Sequence, residues 1–277
     1  MSFLIRIIQI PITWRSIIGK MIKRKDDFMS ENQNYIVQED DICLVSYPKS
    51  GNNFLLFLVA TLLYKTKIDW STKGKMIQNV ATEPIKGLPS PHLVWSHEGY
   101  DPTYPKVIYL VRDPRDIVIS YHHHNRKYYA DPRNFDDFFD AFMEGSIGPA
   151  GPWDKNVESW LDNRDKVKKG FLLIKYEDLL VNTSKNAHRI IKFLNLDRTE
   201  EEINEAVDWA SFDNMKALEK KQSIHLNGNS PFVNPKMPFV REGKANKWKS
   251  VLNQNQQKQI NQKFHTALTR LGYEIST

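Results

Sequence analysis

The sequence predicts an α/β fold: a single three-layer domain with a central parallel sheet, a strand–phosphate-loop–helix at its core, and helices on both faces. Three observations predict it. Short apolar, β-rich runs alternate with longer segments of helical pattern, as in folds built from strand–helix–strand units. The length of 277 residues allows one such domain to bury a full core. Internal repeats with periods of about 20–50 residues, which indicate solenoids and propellers, are missing from the sequence.

The predicted elements follow one another along the chain. The first strand is ICLVSY at 42–47, and a glycine turn joins it to a helix at 53–65. Further strands are predicted at 92–97, 106–111 and 171–176. Further helices are predicted from Pro114 onward, with Asp113 as N-cap, and at 134–144, 154–168, 183–195, 199–209, 211–220 and 254–271. The Asn/Pro/Gly-rich stretch 221–247 is predicted to be a loop, and loops of that length are usually functional or mobile.

The net charge of +6 is unevenly distributed. Residues 1–25 carry six basic side chains and no acid, which equals the whole net charge, so the rest of the chain is neutral overall. A nucleic-acid-binding protein would spread basic charge over its folded body. Nucleic acid is therefore not an expected partner.

Residues 1–40 are predicted to be a basic, apolar extension that precedes the domain at 41–277. Arg6 and Pro11 interrupt its apolar run and no small-residue cleavage site follows, so it does not match a secretory signal. The run is also too interrupted to span a bilayer, which needs about 20 apolar residues. Two interpretations stay open: an additional element packed on the domain, or a peripheral contact of residues 1–25 with anionic membrane.

The single cysteine, Cys43, cannot form an intrachain disulfide, and it lies in an apolar strand-like run. A buried, reduced thiol is typical of a reducing compartment, which predicts a cytoplasmic protein.

The most informative segment is YPKSGNNF, residues 47–54, between a predicted strand and a predicted helix. Ligands of α/β folds lie beyond the carboxyl ends of the strands, where a helix N-terminus offers free N–H groups to a phosphate. Gly51 would let the backbone approach an oxyanion, and Lys49 adds a full charge. Lys49 precedes the only glycine, unlike the lysine of a Walker A loop, which argues against an ATP-dependent kinase. On this segment alone, an ordinary turn with an exposed lysine stays an alternative.

Five segments together resemble the cytosolic sulfotransferases. YPKSGNNF is similar to that family's 5′-phosphosulfate loop, usually YPKSGTTW, and VIYLVRDPRDIVISYHH (107–123) resembles its 3′-phosphate strand–loop–helix. GPWDKNVESW (151–160) with KYEDLL (175–180), and FVREGKANKWK (239–249), resemble later family segments. The resemblance runs in order from about residue 41 to 272.

The resemblance implies a sulfotransferase that moves a sulfuryl group from 3′-phosphoadenosine 5′-phosphosulfate (PAPS) to a hydroxyl or amine of a small-molecule acceptor. The product nucleotide is 3′-phosphoadenosine 5′-phosphate (PAP). The implied donor-binding residues are Lys49, Ser50, Gly51, Asn52 and Asn53 around the 5′-phosphosulfate, Arg112, Ser120, Arg241 and Gly243 at the 3′-phosphate, and Phe54, Phe212 and Tyr176 around the adenine. The alternative function is a catalytically inactive nucleotide-binding or membrane-surface protein on the same fold.

The implied catalytic residues are Lys49, His97 and Ser120. His97 occupies the place of the family's catalytic histidine, and a neutral imidazole can take the proton of an attacking hydroxyl or amine. No metal is expected. Consecutive side chains of the run 122–124 point about 100° apart on a helix, so the three histidines cannot share one ion and are interpreted as a solvated or cofactor-flanking helix surface.

Several residues depart from the family pattern. Asn52 and Asn53 replace two threonines, and Phe54 replaces a tryptophan. Glu242 brings a negative charge where the family usually has lysine. Trp95 stands where many members have lysine, which predicts a different acceptor side. The family's dimer motif is not matched at Lys249, Asn253, Gln254 and Lys258, so that dimer is not expected.

The acceptor site is predicted from aromatic and acidic residues. The predicted substrate-binding residues are Trp95, Tyr100 and Tyr129. Other aromatic residues expected to wall the pocket are Tyr104, Tyr128, Phe135 and Trp153, and the interleaved acids are Glu98, Asp101, Asp131, Asp136, Asp137 and Asp140. Aromatic faces and carboxylates together suit a cationic natural product somewhat better than a phenol or steroid. The alternative, aromatics in the core and acids facing water, stays open.

Overall fold

The protein is described by a computed structural model that covers residues 35–88, 90–222, 234 and 236–275. Within these residues five strands form one sheet, in the order β2–β3–β1–β4–β5, and every pairing is parallel. The strands are β1 Ile42–Ser46, β2 Gln78–Asn79, β3 Leu93–Ser96, β4 Lys106–Val111 and β5 Phe171–Lys175. The central strand β1 is buried at all five positions, which explains its unbroken apolar sequence.

Helices cover both faces of the sheet. They are α1 Asn52–Tyr64, α2 Lys73–Met76, α3 Pro114–Tyr128, α4 Phe135–Glu144, α5 Trp153–Asn163, α6 Tyr176–Val181, α7 Thr183–Leu194, α8 Glu200–Ala210, α9 Phe212–Gln222, α10 Trp248–Val251, α11 Gln254–Lys263 and α12 His265–Arg270. Alternate residues of β1 enter two separate hydrophobic clusters, with Cys43 and Val45 in one and Ile42 and Leu44 in the other. The first cluster is completed by α3–α5, α11 and α12, and the second by α1 and α6–α9. The predicted three-layer fold is confirmed.

The four predicted strands are confirmed, and α3 begins at Pro114 as predicted. The Asp113 carboxylate accepts a hydrogen bond from the backbone N–H of Arg115 and caps that helix. Two predicted helices are divided: 154–168 ends at Asn163 in a 3₁₀ turn, and 254–271 breaks at Phe264. β2 was not predicted, because two residues carry no pattern.

Several predictions fall wholly or partly outside the described residues. These include most of the N-terminal extension, for residues 1–34, and the middle of the predicted loop, for 223–233 and 235. Among the helices that the structure does describe, none has the length and apolar character needed to cross a membrane.

Candidate active site

The predicted site residues gather at the edge of the sheet where the parallel strands end. Lys49 follows β1, His97 follows β3, Arg112 follows β4, and Tyr176 follows β5. A cavity of about 2170 Å³ lies there, and its walls include every predicted site residue except Ser50 and Tyr100. The topology of a parallel sheet thus brings together residues that are up to 194 positions apart, from Lys49 to Gly243.

The turn between β1 and α1 is shaped by two residues with positive φ, Lys49 (71°) and Gly51 (100°). A Cβ atom at Gly51 would lie 2.4 Å from the Tyr176 ring, so only glycine fits. No side chain caps α1, and its first turn contains no acid. The hydroxyl of Ser50 is buried and has no hydrogen-bond partner among the described residues. The turn therefore presents an uncapped helix N-terminus suited to an anion.

Basic side chains converge above this turn. Burial, followed by the nearby charges of Arg112, Arg241 and Lys73, lowers the pKa of Lys49 from 10.5 to about 7. Arg112 donates to the carbonyl oxygens of Lys49 (3.2 Å) and Lys244 (3.1 Å), and its Nε is buried with no partner in the described chain. Burial also lowers the pKa of Arg241. Such mutual repulsion between cations is relieved by a bound anion.

Two aromatic residues hold the backbone and charges of this cluster in place. The Arg112 guanidinium lies 4.4 Å from the centroid of the Tyr176 ring. Gly243 has a φ of 58°, and a Cβ there would lie 2.3 Å from the ring of Phe212. Glu242, whose charge departs from the family pattern, forms an ion pair with Lys247. Its carboxylate is thus compensated by a lysine of the same segment.

His97 has a defined tautomer. Its Nδ1 lies 2.6 Å from the carbonyl oxygen of Ser46, and because a carbonyl can only accept, Nδ1 carries the proton. Nε2 is then an acceptor, and no described residue bonds to it. Burial, with smaller contributions from Lys49 and Lys73, lowers the pKa of His97 to about 4, against the effect of the Ser46 carbonyl. The imidazole is therefore neutral at pH 7 and its Nε2 can take a proton.

The three consecutive histidines of α3 have different surroundings. Nε2 of His122 lies 3.2 Å from the carbonyl oxygen of Arg133, and His123 is exposed. His124 lines the cavity, its Nδ1 is buried without a partner in the described chain, and burial lowers its pKa to about 2. For His124 the alternative of a solvated helix surface is therefore wrong, and the alternative of a cofactor-flanking surface stays a prediction. Among the described residues, no three His, Cys, Asp or Glu side chains are placed to hold a metal ion.

The acceptor side is only partly as predicted. Trp95, Tyr128 and Tyr129 line the cavity, and the Trp95 ring meets that of His97 edge-on at 5.1 Å. Tyr100 does not line it, because its ring packs against the core residue Trp160 at 5.4 Å. The other predicted residues outside the cavity wall are the aromatics Tyr104, Phe135 and Trp153 and the acids Asp101, Asp136, Asp137 and Asp140. For these the alternative of core aromatics and outward-facing acids holds.

Two cavity residues were missed by the sequence analysis. Lys73, from α2, donates a hydrogen bond from Nζ to Oδ1 of Asn53 in the phosphate-binding turn. Phe239 lies 5.2 Å from the Lys49 ammonium. Lys73 lies outside the segments that resemble the family, and Phe239 begins the segment 239–249 but was given no role in the cavity. The fold brings both residues to the turn.

The cavity thus combines a turn suited to an anion, clustered cations and a histidine that is neutral at pH 7. Comparison with known proteins specifies the class. Residues 39–272 match the sequence profile of the family described as "Sulfotransferase domain", and the chain belongs to this family. It is accordingly an enzyme that transfers a sulfuryl group from PAPS to small-molecule hydroxyls and releases PAP, which confirms the predicted family, donor and reaction.

Relatives and solved structures agree with this assignment. Human "Sulfotransferase 2A1" is 25% identical over 268 residues, which cover 91% of this chain and 92% of that protein. The "3-beta-hydroxysteroid sulfotransferase" of Cavia porcellus is 28% identical over 231 residues, covering 78% and 79%. The crystal structure of mouse sulfotransferase SULT7A1 complexed with PAP matches with a TM-score of 0.66 and 23% identity, over 84% of this chain and 85% of that one. This last likeness supports the fold.

Proposed function

We propose that the cation cluster is the PAPS site, with the 5′-phosphosulfate at the N-terminus of α1 and the 3′-phosphate between Arg112 and Arg241. The observation that carries this assignment is the convergence of three cations, Lys49, Arg112 and Arg241. The nearest carboxylates are Asp116, 3.8 Å from Arg112, and Glu242, which is paired with Lys247. The unpartnered Arg112 Nε and Ser50 hydroxyl are donors that an anion would satisfy. Ser120, on the cavity side of α3, supplies a hydroxyl at the 3′-phosphate.

The remaining donor contacts use the aromatic residues of the cavity. Phe54 and Phe212 both line the cavity and would flank the adenine, while Tyr176 would face its edge. Asn52 and Asn53 keep amide groups beside the uncapped helix N-terminus, where they can replace the hydroxyls of the family pattern. Gly243 brings backbone rather than a side chain against Phe212, which leaves room for a nucleotide.

Bound PAPS supplies the activated sulfuryl group, and the residues of the chain supply the proton acceptor and the charge. His97, with Nδ1 held by Ser46, takes the proton of the acceptor hydroxyl at Nε2. Lys49 stabilises the negative charge that develops on the leaving phosphate, because its ammonium lies in the turn that would hold that phosphate. His97, Lys49 and Ser120 are thus proposed as the catalytic set.

Calorimetry with PAP and AMP tests the donor site. Each charge-assisted bond to a phosphate contributes about 1.5–3 kcal/mol, so loss of the 3′-phosphate should weaken binding by about 10²-fold or more. Arg241→Met should lower PAP affinity and leave AMP affinity unchanged. Equal affinities of the wild-type protein for the two nucleotides would contradict the assignment.

Turnover assays test the base and the alternative of an inactive nucleotide-binding protein. His97→Ala should lower the rate about 10²–10⁴-fold and leave PAP affinity nearly intact, because it removes only the proton acceptor. The exposed His265 provides a matched control, and His265→Ala should retain wild-type turnover. Near-wild-type activity of His97→Ala at neutral pH would show that another group is the base.

For the acceptor, the cavity favours a neutral hydroxyl compound over the cationic one that the sequence indicates. Of the six predicted acids only Glu98 and Asp131 line the cavity, and Asp131 is paired with Arg133 at 2.5 Å. Trp95 offers an apolar face beside His97, and Tyr128 lines the same cavity with its ring 4.6 Å from that of His124. The relative named for a hydroxysteroid also supports a neutral alcohol.

His124 adds one polar contact to this apolar wall. Its buried, unpartnered Nδ1 can bond to a second polar group on the acceptor. Rates should be compared for phenols, alicyclic alcohols and diols, and cationic alcohols and amines. His124→Phe should reduce the preference for diols over mono-alcohols. Turnover restricted to cations would return the acceptor to the class first predicted.

The cytoplasmic location, the contact of residues 1–25 with anionic membrane and the absence of the family dimer stay predictions. Vesicles with and without phosphatidylserine, sedimented with the full chain, distinguish membrane contact from an element packed on the domain. Sedimentation velocity measures the oligomeric state.

A further inference from the structure

Lys73 reaches the cavity from α2, which lies outside the segments that resemble the family. Its Nζ donates to Oδ1 of Asn53 and lies 5.8 Å from the centroid of the Trp95 ring. In the part of the chain that the structure describes, no carboxylate pairs with it. A charged ammonium at this position therefore has only a neutral amide and an aromatic face as direct protein partners.

The backbone that carries Lys73 is held firmly. The Asp69 carbonyl accepts from the Lys73 N–H at 2.9 Å, and the Asp69 carboxylate accepts from the N–H and hydroxyl groups of Ser71 and Thr72. The neighbouring Trp70 donates from its indole N–H to the carbonyl of Met215 at 3.1 Å. The direction of Lys73 into the cavity is thus fixed by the turn at 69–72.

The charge of Lys73 affects the pKa values of both proposed catalytic residues next to the reaction centre, Lys49 and His97. It contributes, behind burial, to the lowered pKa of Lys49 and to that of His97. Burial lowers the pKa of Lys73 itself to about 8. Lys73 is thus close enough to both Lys49 and His97 to affect their pKa values. An anionic group bound near these two residues would be stabilised by the charge of Lys73.

We propose that Lys73 is a catalytic residue that binds the sulfuryl oxygens of PAPS during transfer. In the transfer, the bond between sulfur and the 5′-phosphate oxygen breaks and its electron pair stays on that oxygen. The acceptor oxygen forms the new bond to sulfur and loses its proton to His97. Throughout, Lys73 neutralises charge on the sulfuryl oxygens, as fixed charges do in other transfer reactions. Trp95 is uncharged, so Lys73 supplies a cation that residue 95 does not.

This proposal rests on the proposed donor site and predicts a difference between PAPS and PAP. Lys73→Met should weaken PAPS binding about tenfold in calorimetry without acceptor, and PAP binding by less than about twofold, because PAP lacks the sulfuryl group. It should lower kcat about 10²–10³-fold. Lys73→Arg, which keeps the positive charge, should retain much of the PAPS affinity and of kcat. Lys75→Met, an exposed lysine of the same helix, is the matched control and should change neither.

The outcomes separate the two proposals. If wild-type protein failed to bind PAPS, the proposed donor site would be wrong. If it bound PAPS but Lys73→Met lost PAPS and PAP equally, or kept wild-type kcat, the role of Lys73 would be wrong. Thermal unfolding checks the fold, and the melting temperature should not fall because no acid pairs with Lys73. Lys73→Gln, which keeps a donor for Asn53 without the charge, decides the question if the methionine variant does not fold.

Discussion

Lys49→Met should abolish turnover and yet stabilise the ligand-free protein. The Lys49 ammonium is buried beside Arg112, Arg241 and Lys73, and these surroundings lower its pKa from 10.5 to about 7. The folded state therefore binds this proton more weakly than the unfolded state does, and the charged lysine destabilises the fold. Methionine removes the charge and keeps an unbranched apolar chain at the same positive φ.

The magnitude follows from the two pKa values. A shift from 10.5 to about 7 corresponds to about 5 kcal/mol at neutral pH. Lys49 lines an open cavity, where water screens part of this energy, so we expect about 2 kcal/mol. For a domain of this size that raises the melting temperature by about 4–8 °C. The difference is fully present below about pH 7 and disappears as the pH approaches 10.5, where the unfolded-state lysine also loses its proton.

Thermal unfolding of the ligand-free proteins between pH 6.5 and 10 measures the effect. Lys65 is a matched control, because it also has positive φ (51°) but is exposed and paired with Glu202 at 2.6 Å. Lys65→Met should leave the melting temperature unchanged or slightly lower. An unchanged or lower melting temperature for Lys49→Met at pH 7 would show that the charge of Lys49 does not destabilise the ligand-free protein.

Two further predictions use the same cavity. Gly243→Ala should weaken PAP binding about tenfold in calorimetry, because the new Cβ would lie 2.3 Å from the Phe212 ring. Gly272 is the control: its φ is 65° and the space around it is open, so Gly272→Ala should only lower the free energy of unfolding by about 1 kcal/mol. Equal PAP affinities of the two variants would contradict this prediction. The lowered pKa of His124 means that the unfolded state binds more protons below pH 6.5, so stability should decline as the pH falls toward 4, and His124→Phe should reduce that decline in urea unfolding. A steeper decline in the variant would show that the imidazole is protonated in the fold.

The part of the site that adjoins a strand end could be predicted from the sequence. Lys49, Gly51 and Arg112 belong to segments in which an apolar strand, a turn and a helix follow without interruption, so local order fixes their position. His97 could be assigned only through the family pattern, since a single histidine carries no spacing signal. All of them line the cavity.

The rest of the site depends on long-range packing that no local pattern encodes. Lys73 follows a polar turn whose location is set by the contact of Trp70 with Met215. Tyr100 was placed in the pocket because aromatic content is the same for a cavity wall and a core, and only the position of Trp160 distinguishes them. The two residues of β2 pair with β3 through backbone bonds and are too few for an alternating pattern.

Helix α3 also fixes the spacing between two cavity residues, Ser120 and His124. Ser120 and His124 lie about one turn apart, and both line the cavity. The rise of the helix therefore separates their Cα atoms by about 6 Å. The start of the helix cannot drift, because Asp113 caps it and Asp116 accepts from the N–H groups of Asn246 (2.7 Å) and Trp248 (3.0 Å). A displacement of this helix would therefore carry both groups together. The distance between a group bound at Ser120 and a group bound at His124 is therefore set by the backbone of α3. Side-chain substitutions elsewhere in the cavity leave this distance unchanged.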